Sequence, residues 1–407
     1  MSALRIYLQV VKGSSPFWIR ILVGILRIWF FIYDCLNYIP YQLFNSPVEK
    51  LRKSDATKAQ WVDARDGPIR HVDGLKTEQF PGKNTVDKVW RHIVELYDES
   101  PALGTRQLLA VHHEKQAGGR VFEKWELGEY EWMSYREVEA KVSVVAAGLK
   151  DLATGDEPKV VIFAETRAHW LITALACFRA NIPIVTVYAT LGEDAIMDRI
   201  FKAVSEEVAA SPRIMQELFK LNYERKRARY QEGYCSPFLD RIIFKKIRKL
   251  LGGQLKGVLS GGAPLNAETQ RFMNICMCCP VVQGYGLTET CGAACVADIN
   301  DLSTGTVGPP VRCCEILLRE WAEGGYSPFN DPPRGEILIS GENVSPGYFK
   351  LPEKTDEEFI MYKGKRCFCT GDIGEKRKDG SIIIVDRKKD LVKLQHGEYV
   401  SLAKVRS

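Results

Sequence analysis

Apolar positions along this chain follow three patterns. At residues 17–41 they are almost continuous, with Trp29-Phe30-Phe31-Ile32-Tyr33 at the centre. The length approaches the about 20 residues that a bilayer-spanning helix needs. Arg20, Arg27 and Asp34 interrupt it at a spacing that puts all three on nearly one helical face. A polar stripe with aromatic residues opposite predicts a helix lying in a membrane interface or inserting at a tilt. The alternative, a buried core helix, is disfavoured because the run precedes the globular part and leads into a Lys/Arg-rich stretch at 50–58. No small-residue cleavage site follows, which argues against a removed signal peptide.

The second pattern has helical and strand periods. Asn84-Thr85 caps an amphipathic helix carrying Val86, Val89, Trp90, Ile93 and Leu96. Strands are predicted near 108–111 and 122–127, then a helix at 135–152. The apolar runs 160–164 and 184–188 flank a helix at 168–179. That strand–helix–strand unit predicts a parallel, doubly wound α/β sheet. Residues 195–250 read as helical and basic (Arg225, Lys226, Arg227, Arg229, Lys245, Lys246, Arg248, Lys249). These charges form either a solvated face or a surface for lipid or phosphate, the former being favoured. In the third pattern, at 315–385, short apolar runs broken by Gly and Pro predict a small β-rich subdomain.

Composition narrows the class. A chain of 407 residues that is 45% hydrophobic and 26% charged is globular, large enough for one big α/β core or two domains. A net charge of +5 gives no case for nucleic acid and suits work beside anionic lipid. The cysteines, including Cys276, Cys278, Cys279, Cys313 and Cys314, sit in apolar surroundings with no secretory pattern before them. They read as reduced thiols in a cytosol-facing protein. A zinc site at Cys276/Cys278/Cys279 would lack the spaced pairs or histidines such sites use. His112 and His113 follow a strand pattern and read as a solvated strand end.

The chemistry concentrates in Gln283-Gly284-Tyr285-Gly286-Leu287-Thr288-Glu289-Thr290, answered by Thr370-Gly371-Asp372 and by Asp386-Arg387-Lys388-Lys389-Asp390. A Gly284-Tyr285-Gly286 turn would let the backbone approach a ligand closely and offer an aromatic face for a purine. Thr288 can hold a phosphoryl oxygen, and Glu289 is a hard oxygen ligand suited to Mg²⁺. Asp372 can accept both hydroxyls of a ribose, and Arg387 supplies a fixed cation for phosphate or ribose oxygens. Any one glycine cluster alone could be an ordinary tight turn.

Taken in order, the signals resemble the adenylate-forming, AMP-binding enzymes, and specifically the long-chain acyl-CoA synthetases. Those that carry the resemblance are Ser260-Gly261-Gly262-Ala263-Pro264-Leu265, the Gly-Tyr-Gly-Leu-Thr-Glu run, Trp321-Ala322-Glu323-Gly324-Gly325-Tyr326, Pro333-Arg334-Gly335-Glu336, Gly347-Tyr348-Phe349, Thr370-Gly371-Asp372 and the run from Asp386 to Gln395. Among animal members the chain looks closest to the subgroup of isoforms 3 and 4. The resemblance implies ATP, Mg²⁺ and CoA as cofactor and co-substrates, and a long-chain fatty acid as substrate. It implies an acyl-adenylate intermediate that the CoA thiol resolves to acyl-CoA and AMP. By matching motif, Thr288 and Glu289 are catalytic, with Glu289 the metal ligand. Gly262, Ala263, Gly284, Tyr285 and Gly286 line the adenine, Asp372 and Arg387 hold the ribose, and Lys389 marks the hinge of a mobile C-terminal domain.

Set against that family, the Ser/Thr/Gly-rich loop ending Pro-Lys-Gly, which cradles the ATP phosphates, has no counterpart here. The resemblance runs in two blocks that meet at a seam near Asp194-Ala195, as an internal deletion would produce, and the C-terminal domain is expected to be truncated. The expected organisation is a membrane anchor at 1–45, a linker at 46–80, an adenylation core at 81–386, and a hinge with the start of the C-terminal domain at 387–407. Two functions from different classes follow: a synthetase with an impaired phosphate site, or an inactive membrane-tethered relative that binds nucleotide, lipid or a full-length paralogue. A synthetase for short or aromatic acids is disfavoured. The expected location is the cytosolic face of the endoplasmic reticulum, with lipid droplet, mitochondrial outer membrane and peroxisome as alternatives.

Overall fold

A computed structural model describes residues 16–401 apart from 116–120, 154–156, 165–166, 188–195, 250–252, 264 and 394–398. The expected seam at Asp194-Ala195 lies outside the described residues. The chain forms two compact units, residues 78–193 and residues 1–77 with 194–407.

Helix α1 (Phe17–Asn45) ends where Ser46 turns left-handed, and Pro47 starts α2 (Pro47–Asp55). Strands β1 (Ala59–Trp61) and β2 (Ile69–His71) pair antiparallel. The stretch read as linker thus contains a helix and two strands. It is fixed by Lys58, whose buried ammonium donates to Ser54 O (2.9 Å), Asp301 Oδ2 (2.9 Å) and Asp379 Oδ2 (2.8 Å). Three acceptors around one buried cation satisfy all its donors.

In the 78–193 unit, α3 (Val86–Tyr97) is capped by Thr85, whose hydroxyl accepts from Lys88 N. Strands β3 (Pro101–Lys115) and β4 (Val121–Ser134) form a long antiparallel ribbon. A reciprocal cap between Ser134 and Glu137 opens α4 (Tyr135–Leu152). Strand β5 (Val160–Phe163), helix α5 (Ala168–Ala180) and strand β6 (Ile184–Val187) make the expected unit, β5 and β6 pairing parallel in register. Val138, Val142, Ala146, Ile172, Leu175 and Ala176 fill the core between α4 and α5. Among the described residues this sheet is two strands wide, and Val161 and Phe163 stand 62% and 69% exposed.

The larger unit continues with helices α6 (Ile196–Ala210), α7 (Arg213–Gln231), α8 (Pro237–Ile242) and α9 (Lys245–Lys249). Strand β7 (Val258–Ser260), α10 (Ala267–Met277) and β8 (Val281–Leu287) follow, β7 lying parallel to β8 and β9 (Gly292–Val296) antiparallel to it. The β-rich part comprises β10 (Cys314–Arg319), β11 (Arg334–Gly341), α11 (Pro352–Glu358), β12 (Phe359–Tyr362), β13 (Lys365–Lys376) and β14 (Ile382–Arg387). Its sheet runs β1-β2-β10-β11-β13-β12, and β14 pairs with the later part of β13. Ile316, Leu318, Ile337, Ile339 and Ile382, all fully buried, cover one face.

The basic residues of α7 turn out to have partners within the protein. Asp34 of α1 receives Arg225 (2.5 Å) and Arg229 (2.7 Å), and the Arg225 guanidinium lies 4.3 Å over the Phe30 ring. Lys226 donates to Ile275 O at 2.6 Å, and Arg227 faces Glu268. Neither a solvated face nor a lipid-facing one describes them. The polar stripe of α1 is divided accordingly: Asp34 turns inward with Phe30 and Tyr41, while Arg20 and Arg27 stay exposed. The outer side presents Phe31, Leu36 and Leu43, each 70% exposed or more. No described helix is long and apolar enough to cross a membrane.

Candidate functional site

Strand register assembles the site. Ser260 pairs with Gln283, which sets the exposed Gly262-Ala263 bend beside the start of the Gly-Tyr-Gly segment. Gly262 has φ +83°, a conformation that favours glycine. Gly284, Tyr285 and Gly286 lie within strand β8 rather than in a turn. The close approach that Gly286 permits is to the chain itself, since a Cβ there would sit 1.7 Å from Gly292 O on β9. Gly286→Ala is therefore expected to force β8 and β9 apart and to cost about 3 kcal/mol or more, measurable as a lower urea midpoint.

Asp372 lies on β13 directly opposite Arg387 on β14 and is only 2% exposed. Arg387 Nε donates to Asp372 Oδ1 at 2.8 Å, and the Tyr285 hydroxyl donates to Oδ2 at 2.7 Å. Two of the residues selected from sequence thus converge on the carboxylate of a third, and Tyr285 reaches it through its hydroxyl, not only its ring. Burial pushes the Tyr285 phenol far up, and the neighbouring Asp372 charge adds to this, so it stays a donor. Hydrogen bonding to Asp372 also raises the Arg387 guanidinium. Each carboxylate oxygen keeps a second lone pair for an incoming hydroxyl.

Thr288, exposed, and Glu289, half-buried, occupy a single 3₁₀ turn (Thr288–Thr290) that follows β8. Glu289 Oε1 lies 2.7 Å from the Tyr348 hydroxyl, which is also 2.5 Å from Glu358 Oε2. Burial raises the Tyr348 phenol, reinforced by Glu358 and Glu289. No motif pointed to Glu358; its only signal is a place in an acidic helix ten residues after Tyr348. Among the described residues no group of three or more potential ligands converges on a metal site. Glu289 with Thr288 fits Mg²⁺ as that ion is usually held, by one or two protein oxygens plus substrate phosphates. Lys389 is exposed, in the short turn Lys388–Asp390 just after β14.

The family model for the AMP-binding enzyme matches residues 111–208 and 206–349. The chain is 28% identical over 535 residues to long chain acyl-CoA synthetase 8 of Arabidopsis thaliana, covering 83% of this chain and 74% of that one. Fatty acyl-CoA synthetase A of Dictyostelium discoideum is 44% identical over 185 residues, 45% of this chain and 27% of the relative. Apart from the first, the curated relatives compared are spanned for only 27–39% of their length. Among solved structures, the adenylation domain of a Mycobacterium chelonae carboxylate reductase aligns with TM-score 0.49 and 18% identity, over 80% of this chain and 75% of that one.

Proposed function

Because the chain belongs to the AMP-binding enzyme family and its relatives are long-chain acyl-CoA synthetases, we propose that it carries the nucleotide half of a long-chain fatty acid–CoA ligase site. The reaction of that site converts a long-chain fatty acid, ATP and CoA to acyl-CoA, AMP and diphosphate through an acyl-adenylate. The observation that carries the reading is the buried Asp372 carboxylate, oriented by Tyr285 and Arg387 and still able to accept two ribose hydroxyls. Thr288 would hold a phosphate oxygen, and Glu289 would hold Mg²⁺, whose charge offsets the negative charge that builds on phosphorus. Gly262 and Ala263 would line the adenine, and Lys389 would be the pivot of domain rotation.

A non-hydrolysable palmitoyl-adenylate analogue tests this reading, because it carries no β- or γ-phosphate. Saturable binding in calorimetry is expected, and absence of binding would overturn the proposal.

The phosphate half of the site is proposed to be impaired by an internal deletion. Three observations support this. The family model matches in two pieces that meet at 206–208. The alignment to the Arabidopsis relative extends over 535 residues yet takes in only 83% of a 407-residue chain. The parallel pairs β5–β6 and β7–β8 are each narrow, and Leu259 of β7 is 61% exposed, whereas parallel sheets normally have both faces covered.

The outer face of α1 is proposed to lie in a membrane interface on the cytosolic side, supported by its run of exposed apolar and aromatic side chains. Replacing Phe31, Leu36 and Leu43 together by Asp leaves the Asp34 clamp untouched. The triple variant is expected to lose co-flotation with liposomes while the unsubstituted chain floats; equal flotation of both would refute the interfacial role.

A further inference from the structure

The Gly347-Tyr348-Phe349 run lies in the loop between β11 and α11. We infer that Tyr348 is the positioning residue for Glu289, an inference that rests on the proposed role of Glu289 toward Mg²⁺.

A glutamate on a single 3₁₀ turn has three side-chain torsions and little local support. Here the loop after β11 supplies that support at three points. Asn343 Nδ2 donates to Thr290 O (3.1 Å), Ser345 N donates to Glu289 O (2.8 Å), and the Tyr348 hydroxyl meets Glu289 Oε1 (2.7 Å). The first two fix the backbone of the turn, and the third fixes the carboxylate.

Tyr348 is itself held from several sides. Its N–H donates to Thr355 Oγ1 (2.9 Å), and its ring meets Phe359 edge-on at 5.6 Å. The Lys354 ammonium lies 4.7 Å over the same ring. Gly347 lets the loop come this close: at φ +144° its Cβ would fall 2.3 Å from Thr355 Cγ2.

The second carboxylate, Glu358, decides how firmly Glu289 is held. One phenol carries one hydrogen, and two carboxylates lie within reach of it. When Glu289 turns to a cation, the hydroxyl keeps a partner by donating to Glu358, so no buried donor is stranded. Tyr348 therefore aims Oε1 without locking it. Outer-shell partners of this kind commonly contribute about 10–100-fold to metal affinity.

The test uses the full chain in detergent with Mn²⁺, a paramagnetic stand-in for Mg²⁺, and with AMP, which chelates Mn²⁺ far more weakly than ATP does, and follows free Mn²⁺ by electron paramagnetic resonance. Tyr348→Phe is expected to weaken Mn²⁺ binding about 10–100-fold with an unchanged melting temperature. Glu289→Gln should weaken it at least as much, and Lys350→Met, in the same loop but with its ammonium over the Phe349 ring rather than at Tyr348 or Glu289, should leave it unchanged. If Glu289→Gln weakens binding and Tyr348→Phe does not, the positioning role is wrong while the metal role stands. A loss equal in Lys350→Met and Tyr348→Phe also overturns it, because the loop would then be acting only as structure. If the unsubstituted chain binds no Mn²⁺, or Glu289→Gln has no effect, the metal role of Glu289 falls and this inference with it.

Discussion

Thioester formation from palmitate, ATP and CoA by this chain is expected to run about a hundredfold or more below that of a family member with an intact phosphate loop. Removing one preorganised donor from a site where charge develops costs about a hundredfold or more in rate. A Pro-Lys-Gly loop would contribute several donors at once, and no such segment occurs in the sequence. The proposed adenine and ribose contacts would not compensate, because such contacts bind ground state and transition state alike. The check is a radiolabelled palmitate assay run beside a relative of full length. A rate within a few fold of that enzyme would show that other residues cradle the triphosphate.

Asp372→Ala is expected to abolish most nucleotide affinity. Two hydrogen bonds from ribose hydroxyls to a buried carboxylate contribute about 1.5–3 kcal/mol each, so losing both weakens binding about a hundredfold or more. The substitution also strips Tyr285 of its acceptor and Arg387 of its counter-charge. Asp372→Asn, which keeps the shape and one acceptor oxygen, should fall between the two. AMP should bind about as well as ATP, since the proposed contacts would reach the nucleoside and not the β- and γ-phosphates. Calorimetry with both nucleotides decides it: a strong preference for ATP, or affinity unchanged in Asp372→Ala, contradicts this account.

Local structure was legible where a local rule determined it. The Thr85 cap, the helix at 135–152 and the β5–α5–β6 unit follow from short-range capping and periodicity. The convergence of Tyr285, Asp372 and Arg387 was legible only through the ordered motifs, because pairing across 87 residues leaves no periodic signal. Other features depend on tertiary contacts that no window of sequence contains. Gly286 looked like a ligand-facing turn, yet β9 presses against it. The α7 arginines looked solvated until Asp34, 191 residues from Arg225, supplied the counter-charge. Glu358 could not be singled out, since an acidic residue in an acidic helix is unremarked until a tyrosine points at it.

The clamp on α1 has a mechanical consequence. A helix of 29 residues is roughly 43 Å long, and a flexible tether of that size would let its cargo swing freely over a lipid surface. Phe30, Asp34 and Tyr41 are instead bound into the body of the larger unit, Asp34 by two arginines and Phe30 and Tyr41 beneath guanidinium groups. The helix cannot roll about its own axis without breaking those contacts. It behaves as a keel: if the proposed interfacial face of α1 meets a bilayer, this unit would present the same side at every encounter.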